Sequence, residues 1–341
     1  MWVIMKRKRR RGNGEGTVFE DKKNKRWIGQ YISGTSAEGK AIRKSVYGKT
    51  QKEVLNKLNE IKYKMNNDMY VEKNGIELIK IMEDIREEKL ASNTISGGQY
   101  ARLKWTINKI KNSKIGNMKI QDITKDDIQE FLNSIKDLSD SYIKKIYEQF
   151  VQAYRRAEIK KYISYNPMYE VIKPKSNKQT KVVEALNINV QKEFTQYLNK
   201  VLIQNEPYKN IFLIQMYMGL RIGEVLALSK ESVDLENKVL YVKRTLTNDK
   251  EFAIILGNKT KTYSGNRTLP IPDFLVQIFE EQLKYTNENL HNLIFTNNDS
   301  YIRTSAINKE LKRIFKEELN VDSKNISTHC LRHAYGTRCI E

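Results

Sequence analysis

After its first fifteen positions the chain carries three short runs rich in β-branched and aromatic residues: Gly16-Thr17-Val18-Phe19, Arg26-Trp27-Ile28-Gly29-Gln30-Tyr31-Ile32 and Lys40-Ala41-Ile42-Arg43-Lys44-Ser45-Val46-Tyr47. Turn formers at Asp21 to Asn24 and Gly34 to Gly39 separate them, which predicts a three-stranded antiparallel sheet. Thr50-Gln51-Lys52-Glu53 has the form of a helix capping box. Val54, Leu55, Leu58, Ile61 and Met65 then recur at helical spacing, so the helix covers one sheet face and leaves the other free. From Ile76 to Ile172 the spacing is helical throughout. Ile143, Ile146, Tyr147, Phe150, Tyr154 and Ala157 line one face of a helix begun at Ser139 or Ser141, Asn93-Thr94 and Thr124 to Asp127 offer two further N-caps, and Asn166-Pro167 ends the run. About four helices follow from this pattern, with the Ile, Tyr and Phe stripe as core. Lys173 to Lys181 is polar, basic and interrupted by Pro174, and reads as a linker. Beyond it strands are expected at 238–244, 252–256 and 267–271, forming a small sheet, and helices at 210–217, 221–229, 273–284, 304–317 and 328–340. The fold class is multidomain α+β: a small three-stranded sheet plus helix over 1–66, a helical bundle over 73–172, a linker over 173–181, and a mixed, mainly helical domain with a small antiparallel sheet over 182–341.

Composition narrows the partners. Of 341 residues 39% are apolar and 30% charged, and no apolar run is long enough to span a bilayer. The apolar Met1 to Met5 precede the basic Lys6 to Arg11, the reverse of a secretory signal, and two cysteines make no disulfide framework; a cytoplasmic protein is expected. The net charge is +20, and residues 1–64 hold eighteen Lys or Arg against six Asp or Glu. A polyanion is the expected partner. Arg26, Gln30, Lys40, Arg43 and Lys44 lie on or beside the free sheet, which could enter a DNA major groove; a merely solvated face is the alternative.

Two arginine boxes carry the candidate chemistry: Gly219-Leu220-Arg221-Ile222-Gly223-Glu224 and His329-Cys330-Leu331-Arg332-His333. Two arginines and a histidine around one phosphate can stabilise the trigonal-bipyramidal state of phosphoryl transfer without a metal. Gly219 is placed to end one helix in a left-handed conformation and Arg221 to open the next, with Glu224 one turn on to orient it. Alone, that box equals an ordinary salt bridge at a helix start. His329 and His333 are spaced as zinc ligands can be, but Cys330 stands where a metalloprotease has its glutamate, so no metal is expected. Between the boxes, Lys259 to Pro270 has the look of a tight β-hairpin bent at Ser264-Gly265-Asn266.

These three segments, in this order, resemble the tyrosine recombinases, the phage-integrase family of site-specific recombinases, with conjugative-transposon and lambda-like integrases as the nearest pattern. The resemblance covers essentially the whole chain. It implies an arm-type DNA-binding domain at the front, a core-binding helical domain, and a catalytic domain over 182–341. It implies that Arg221 and Arg332 bind the non-bridging oxygens of the scissile phosphate, and that Lys261 protonates the leaving 5′-hydroxyl, with Lys259 the alternative register. His329 would assist proton transfer or hold the phosphate, and Glu224 and His333 would support the site. In the family a nucleophilic tyrosine follows the second box. No tyrosine here has that place, since Tyr335 sits three residues after Arg332, where an aromatic packs the core. The expectation is therefore a C-terminally incomplete chain without its nucleophile, unable to cleave DNA in cis. The implied function is site-specific recombination for a mobile element through a 3′-phosphotyrosyl intermediate, with no cofactor, acting on double-stranded DNA at arm-type and core-type sites. A homo-tetramer on DNA in the bacterial cytoplasm and an accessory directionality factor are implied partners. The alternatives are a non-catalytic DNA-binding protein that occupies recombination sites and a type IB topoisomerase.

Overall fold

The computed structural model describes residues 16–36, 38–67, 70–72, 74–179, 185–257, 266–289, 291–297 and 300–340. The chain divides into two compact units, one of Met1–Met82, Lys114–Phe131 and Glu148–Ile172, the other of Glu83–Ser113, Leu132–Tyr147 and Lys173–Glu341.

In the first unit β1 (Thr17–Asp21), β2 (Arg26–Thr35) and β3 (Ala41–Gly48) pair antiparallel in sequence order, as the pattern predicts. Trp27, Tyr31, Val18 and Val46 pack on Val54 and Leu58 of α1 (Gln51–Asn66). Gly29 lies at the centre of this contact. A Cβ there would stand 2.6 Å from Val54 Cγ1 and 2.8 Å from Leu58 Cδ1, so only glycine lets the helix settle on the sheet. Thr50 caps α1 by accepting the Glu53 N–H at 3.2 Å. The reciprocal half of the box is displaced by one residue, because the Glu53 carboxylate accepts the Lys49 N–H at 2.8 Å.

Four helices follow: α2 (Leu78–Ala91), α3 (Gly97–Lys111), α4 (Lys125–Ser134) and α5 (Asp140–Ile159). Ile143, Ile146, Phe150, Tyr154 and Ala157 are all fully buried, as their spacing demands. Thr124 caps α4 in a reciprocal pair with Asp127. The cap of α3 is not Asn93-Thr94 but Ser96, which forms a complete box with Gln99. Asn93 instead takes a left-handed turn, φ 56°, just after α2.

The second unit contains α6 (Ile188–Lys200), α7 (Lys209–Met218), the single turn α8 (Ile222–Val225), β4 (Val233–Asp234), β5 (Val239–Val242), β6 (Thr245–Asn248), β7 (Ile254–Gly257), β8 (Arg267–Pro270), α9 (Asp273–Tyr285), α10 (Thr304–Glu317) and α11 (Thr328–Arg338). Its core is built around α7, where Ile211, Phe212, Leu213, Ile214 and Met216 are buried together with Phe194, Phe279 and Phe315. The expected single sheet is two: β4-β5-β8, and a separate β6-β7 hairpin that begins after Lys243-Arg244. The expected helix over 221–229 is one turn. Gly223 of that turn presses on β6, where a Cβ would stand 2.7 Å from Leu246 O and from Thr245 Oγ1. The polar stretch after residue 172 is irregular yet tethered within this unit: Pro174 is buried, Ser176 Oγ donates to Leu138 O at 2.5 Å, and the Asn177 N–H donates to Lys136 O at 2.8 Å. Short polar side chains and backbone groups find backbone partners there. Among the described residues no helix is long and apolar enough to cross a membrane.

Candidate active site

α7 stops at Gly219, whose φ of 64° is left-handed and whose N–H still bonds to Gln215 O at 3.0 Å. The same glycine is a contact surface for α11. A Cβ on it would stand 2.2 Å from Cδ1 of Tyr335, so the bare backbone is what lets the Tyr335 ring lie against the end of α7. Arg332, one turn earlier on α11, donates through Nη1 to the carbonyl oxygen of Gly219. The two arginine boxes therefore meet, through Gly219, although more than a hundred residues separate them.

Arg221 is the N-cap residue of α8. Its N–H donates to Glu224 Oε2 at 2.9 Å and its Nη1 to Glu224 Oε1 at 2.9 Å. The Glu224 side chain is 2% exposed whereas that of Arg221 is 62% exposed, so a buried carboxylate holds a guanidinium that faces solvent. A second arginine shares it: Arg267, at the start of β8, donates through Nη1 to Oε1 at 3.2 Å and through Nη2 to Oε2 at 2.8 Å. Burial alone would push the Glu224 carboxyl up, but the bonds from Arg267, the Arg221 N–H and the Arg221 guanidinium together hold it below the usual carboxylate value.

Arg332 and His329 both feel the positive charge gathered here. Arg332 is lowered from the ordinary arginine value by burial first and then by Arg221 and Arg267, with Glu224 opposing. His329 is lowered by desolvation, then by His333, Arg332 and Arg221. The His329 and His333 rings meet edge to face with centroids 4.6 Å apart. α11 starts without a side-chain cap from Ser327; Asn308 of α10 accepts the Thr328 N–H at 2.8 Å instead, which fixes the turn that carries His329. Cys330 and Leu331 point into the core. Tyr335 is raised from the ordinary tyrosine value, by the neighbouring Cys339 thiol first and then by burial.

The structure thus brings Arg221, Glu224, His329, Arg332 and His333 into one region. Lys261, and the Lys259 alternative, lie outside the described residues. In the sequence Arg267 figures only as part of a hairpin motif; an arginine opening a short strand otherwise made of Thr-Leu-Pro is the signal that points to it. Three guanidinium groups and one carboxylate leave an excess of positive charge at this surface, an arrangement suited to an anion. Among the described residues no group of three or more His, Cys, Asp or Glu side chains could hold a metal ion.

The front sheet separates its candidates. Gly29 and Tyr31 face α1, so by strand alternation Arg26, Gln30 and Ile32 of β2 lie on the free face, with their partners Asp21, Thr17 and Arg43. Arg26 donates to Asp21 at 3.0 Å and stacks 4.4 Å from the Tyr47 ring. Lys44 pairs in register with Tyr31 and so belongs to the α1 side, where it is ion-paired to Glu72. Lys40 precedes β3 in the turn, 3.7 Å from Glu38.

Residues 182–341 match the phage integrase family. The chain is also 27% identical over 340 residues to a tyrosine recombinase XerC-like protein of Caldanaerobacter subterraneus subsp. tengcongensis, across 90% of this chain and 83% of that one. Residues 182–341 thus form a domain of the phage integrase family. Its fold is shared with the Tn1549 transposon integrase solved with a circular-intermediate DNA, at TM-score 0.64 and 18% identity over 78% of this chain and 87% of that one. A lambda integrase tetramer bound to a Holliday junction has the same fold at TM-score 0.54 and 14% identity, over 96% and 91% of the two chains. Within the integrase domain, α7, α8 and α11 are the elements that carry both arginine boxes.

Proposed function

We propose that this integrase cuts and rejoins DNA at specific sites for a mobile element, with Arg221, His329 and Arg332 gathered on the scissile phosphate. The observation that carries the reading is Glu224: buried, it presents the exposed guanidinium of Arg221 beside Arg332, whose own charge is anchored on the Gly219 carbonyl. A phosphodiester carries one negative charge and gains a second as an oxygen nucleophile attacks. The excess positive charge around Glu224 is matched better to that state than to the ground state, which is the condition for lowering a barrier.

In this mechanism a tyrosine hydroxyl attacks phosphorus. The O–P bond to tyrosine forms as the bond to the 5′ oxygen breaks, giving a 3′-phosphotyrosyl link and a free 5′-hydroxyl. His329, kept neutral near pH 7 by its surroundings, can accept the phenolic proton, and Lys261 delivers a proton to the leaving oxygen. The diester energy is kept in the covalent bond, so rejoining to a new 5′-hydroxyl needs no nucleotide. Tyr335 is unsuited to the attack because its ring is packed on Gly219.

Residues 1–66 would read arm-type sites through the free face of the sheet, residues 73–172 would grip core-type DNA, residues 173–181 would connect them to the rest, and residues 182–341 would do the chemistry. The likeness in fold to the lambda integrase tetramer supports a four-subunit assembly on paired sites. A nicked suicide substrate tests the reading. A covalent protein–DNA adduct is expected, and its failure to form would leave only DNA binding.

A further inference from the structure

Glu224 offers four lone-pair positions on two oxygens, and all four are taken: two by Arg221, through its N–H and Nη1, and two by Arg267, through Nη1 and Nη2. We infer that Arg267 is a positioning residue for the phosphate site, occupying the inner half of Glu224 so that the rest of the Arg221 guanidinium stays turned outward. The inference rests on the phosphate-site reading above and adds to it a residue that touches neither phosphate nor nucleophile.

The argument follows from what a buried carboxylate demands. With 2% exposure, Glu224 cannot draw on bulk water to replace a missing donor. Remove Arg267 and two acceptor positions open in a desolvated place. The nearest mobile donor is the Arg221 side chain, 62% exposed, which now spends only Nη1 on Glu224. Rotating inward, it would fill both oxygens as a fork and withdraw from the surface. Arg267 cannot follow such a movement, because its strand is paired through Val242↔Arg267 and Tyr241↔Thr268 to β5. The clamp is rigid on one side and adjustable on the other. In sequence Arg267 also follows Lys261 by six residues, so the strand that leaves the lysine segment is the strand that sets Arg221.

A merely structural ion pair would stabilise the fold and leave Arg221 where it is, and the two roles part experimentally. Inorganic phosphate is titrated into the 341-residue chain by NMR, following the His329 ring signals, with the thermal midpoint recorded for every variant. Arg221→Ala and Arg332→Ala test the phosphate site itself; Arg267→Gln and Arg267→Lys test the clamp. Arg267→Gln is expected to weaken phosphate binding by about ten-fold, the scale on which outer-shell partners act on a bound centre, with Arg267→Lys between it and the parent. The His329 titration midpoint should rise in the same variants. Arg221 lowers it, and Arg267→Lys keeps the positive charge at position 267, so a rise in the lysine variant reports that Arg221 has moved. Folded Arg267 variants with parental phosphate affinity and parental His329 titration would overturn the inference alone. Unchanged binding in Arg221→Ala and Arg332→Ala would overturn the phosphate site and the inference with it. Should the glutamine variant not fold, the lysine variant, which keeps the charge, decides the matter.

Discussion

Arg332 on α11 donates to the carbonyl oxygen of Gly219, the residue at which α7 ends and two positions before Arg221. One backbone group thereby joins the two arginine boxes: its left-handed turn releases the chain toward Arg221, its missing side chain admits Tyr335, and its oxygen fixes Arg332.

Gly219→Ala should therefore damage both fold and site. The left-handed backbone and a Cβ 2.2 Å from the Tyr335 ring predict a loss of about 2–4 kcal/mol. Thermal unfolding checks the size. Phosphate affinity should fall further than the stability loss explains, because α11 must shift to make room.

Arg332→Ala should cut cleavage by about 100- to 1000-fold, as the loss of one transition-state donor does. Duplex affinity in a filter or fluorescence assay should stay nearly unchanged. A parallel fall in affinity would mean that Arg332 binds ground state and transition state alike.

The pH dependence has a defined sign at two residues. The Glu224 carboxyl is lower in the folded protein than in the unfolded chain, so its contribution is present above the unfolded carboxylate value and lost as pH falls through the lowered one. Glu224→Gln should lower stability at neutral pH and lose less of it on acidification than the parent. His329 is also lowered, so the unfolded chain takes up its proton first; its neutral form costs nothing above the ordinary histidine value, and acidification disfavours the folded state. Cleavage that uses His329 as proton acceptor should fall as pH drops through its NMR-measured midpoint.

On the front sheet, Arg43→Ala and Arg26→Ala should each lower DNA affinity and reduce the slope of log affinity against log salt by about 0.9 for every phosphate left without its neutralising cation. Lys44→Ala should leave the slope unchanged, because Lys44 lies on the α1 side and pairs with Glu72. Deleting residues 1–64 should flatten the slope and remove recognition of distal sites.

Much of this architecture is legible in the sequence wherever a local rule has no competitor. The caps at Thr50 and Thr124, the buried stripe of α5 and the glycine stop at 219 follow from side chains within a few residues of one another. What escapes is set by distant partners. α8 is shortened to one turn because Gly223 meets β6, and the small sheet is divided because β5 pairs with β8 across the intervening β6-β7 hairpin. α6 carries Val190, Phe194 and Leu198 at helical spacing after the Asn187 cap, but the largely apolar Val182 to Leu186 run just before that cap obscures the start. At the site, Arg221, Glu224, His329 and Arg332 stand out through their boxes, whereas the role of Arg267 exists only where the fold brings β8 to Glu224.

The central claim is that Arg221 and Arg332 serve one phosphate, and a double-mutant cycle on phosphate affinity tests it most directly. Arg221→Ala, Arg332→Ala and the double variant are each titrated with inorganic phosphate in the 341-residue chain. Residues sharing one ligand should couple by more than about 0.5 kcal/mol, the double variant losing less than the sum of the single losses. Two losses that add within about 0.3 kcal/mol, or a loss at one arginine alone, would place the guanidinium groups on separate anions and contradict the account.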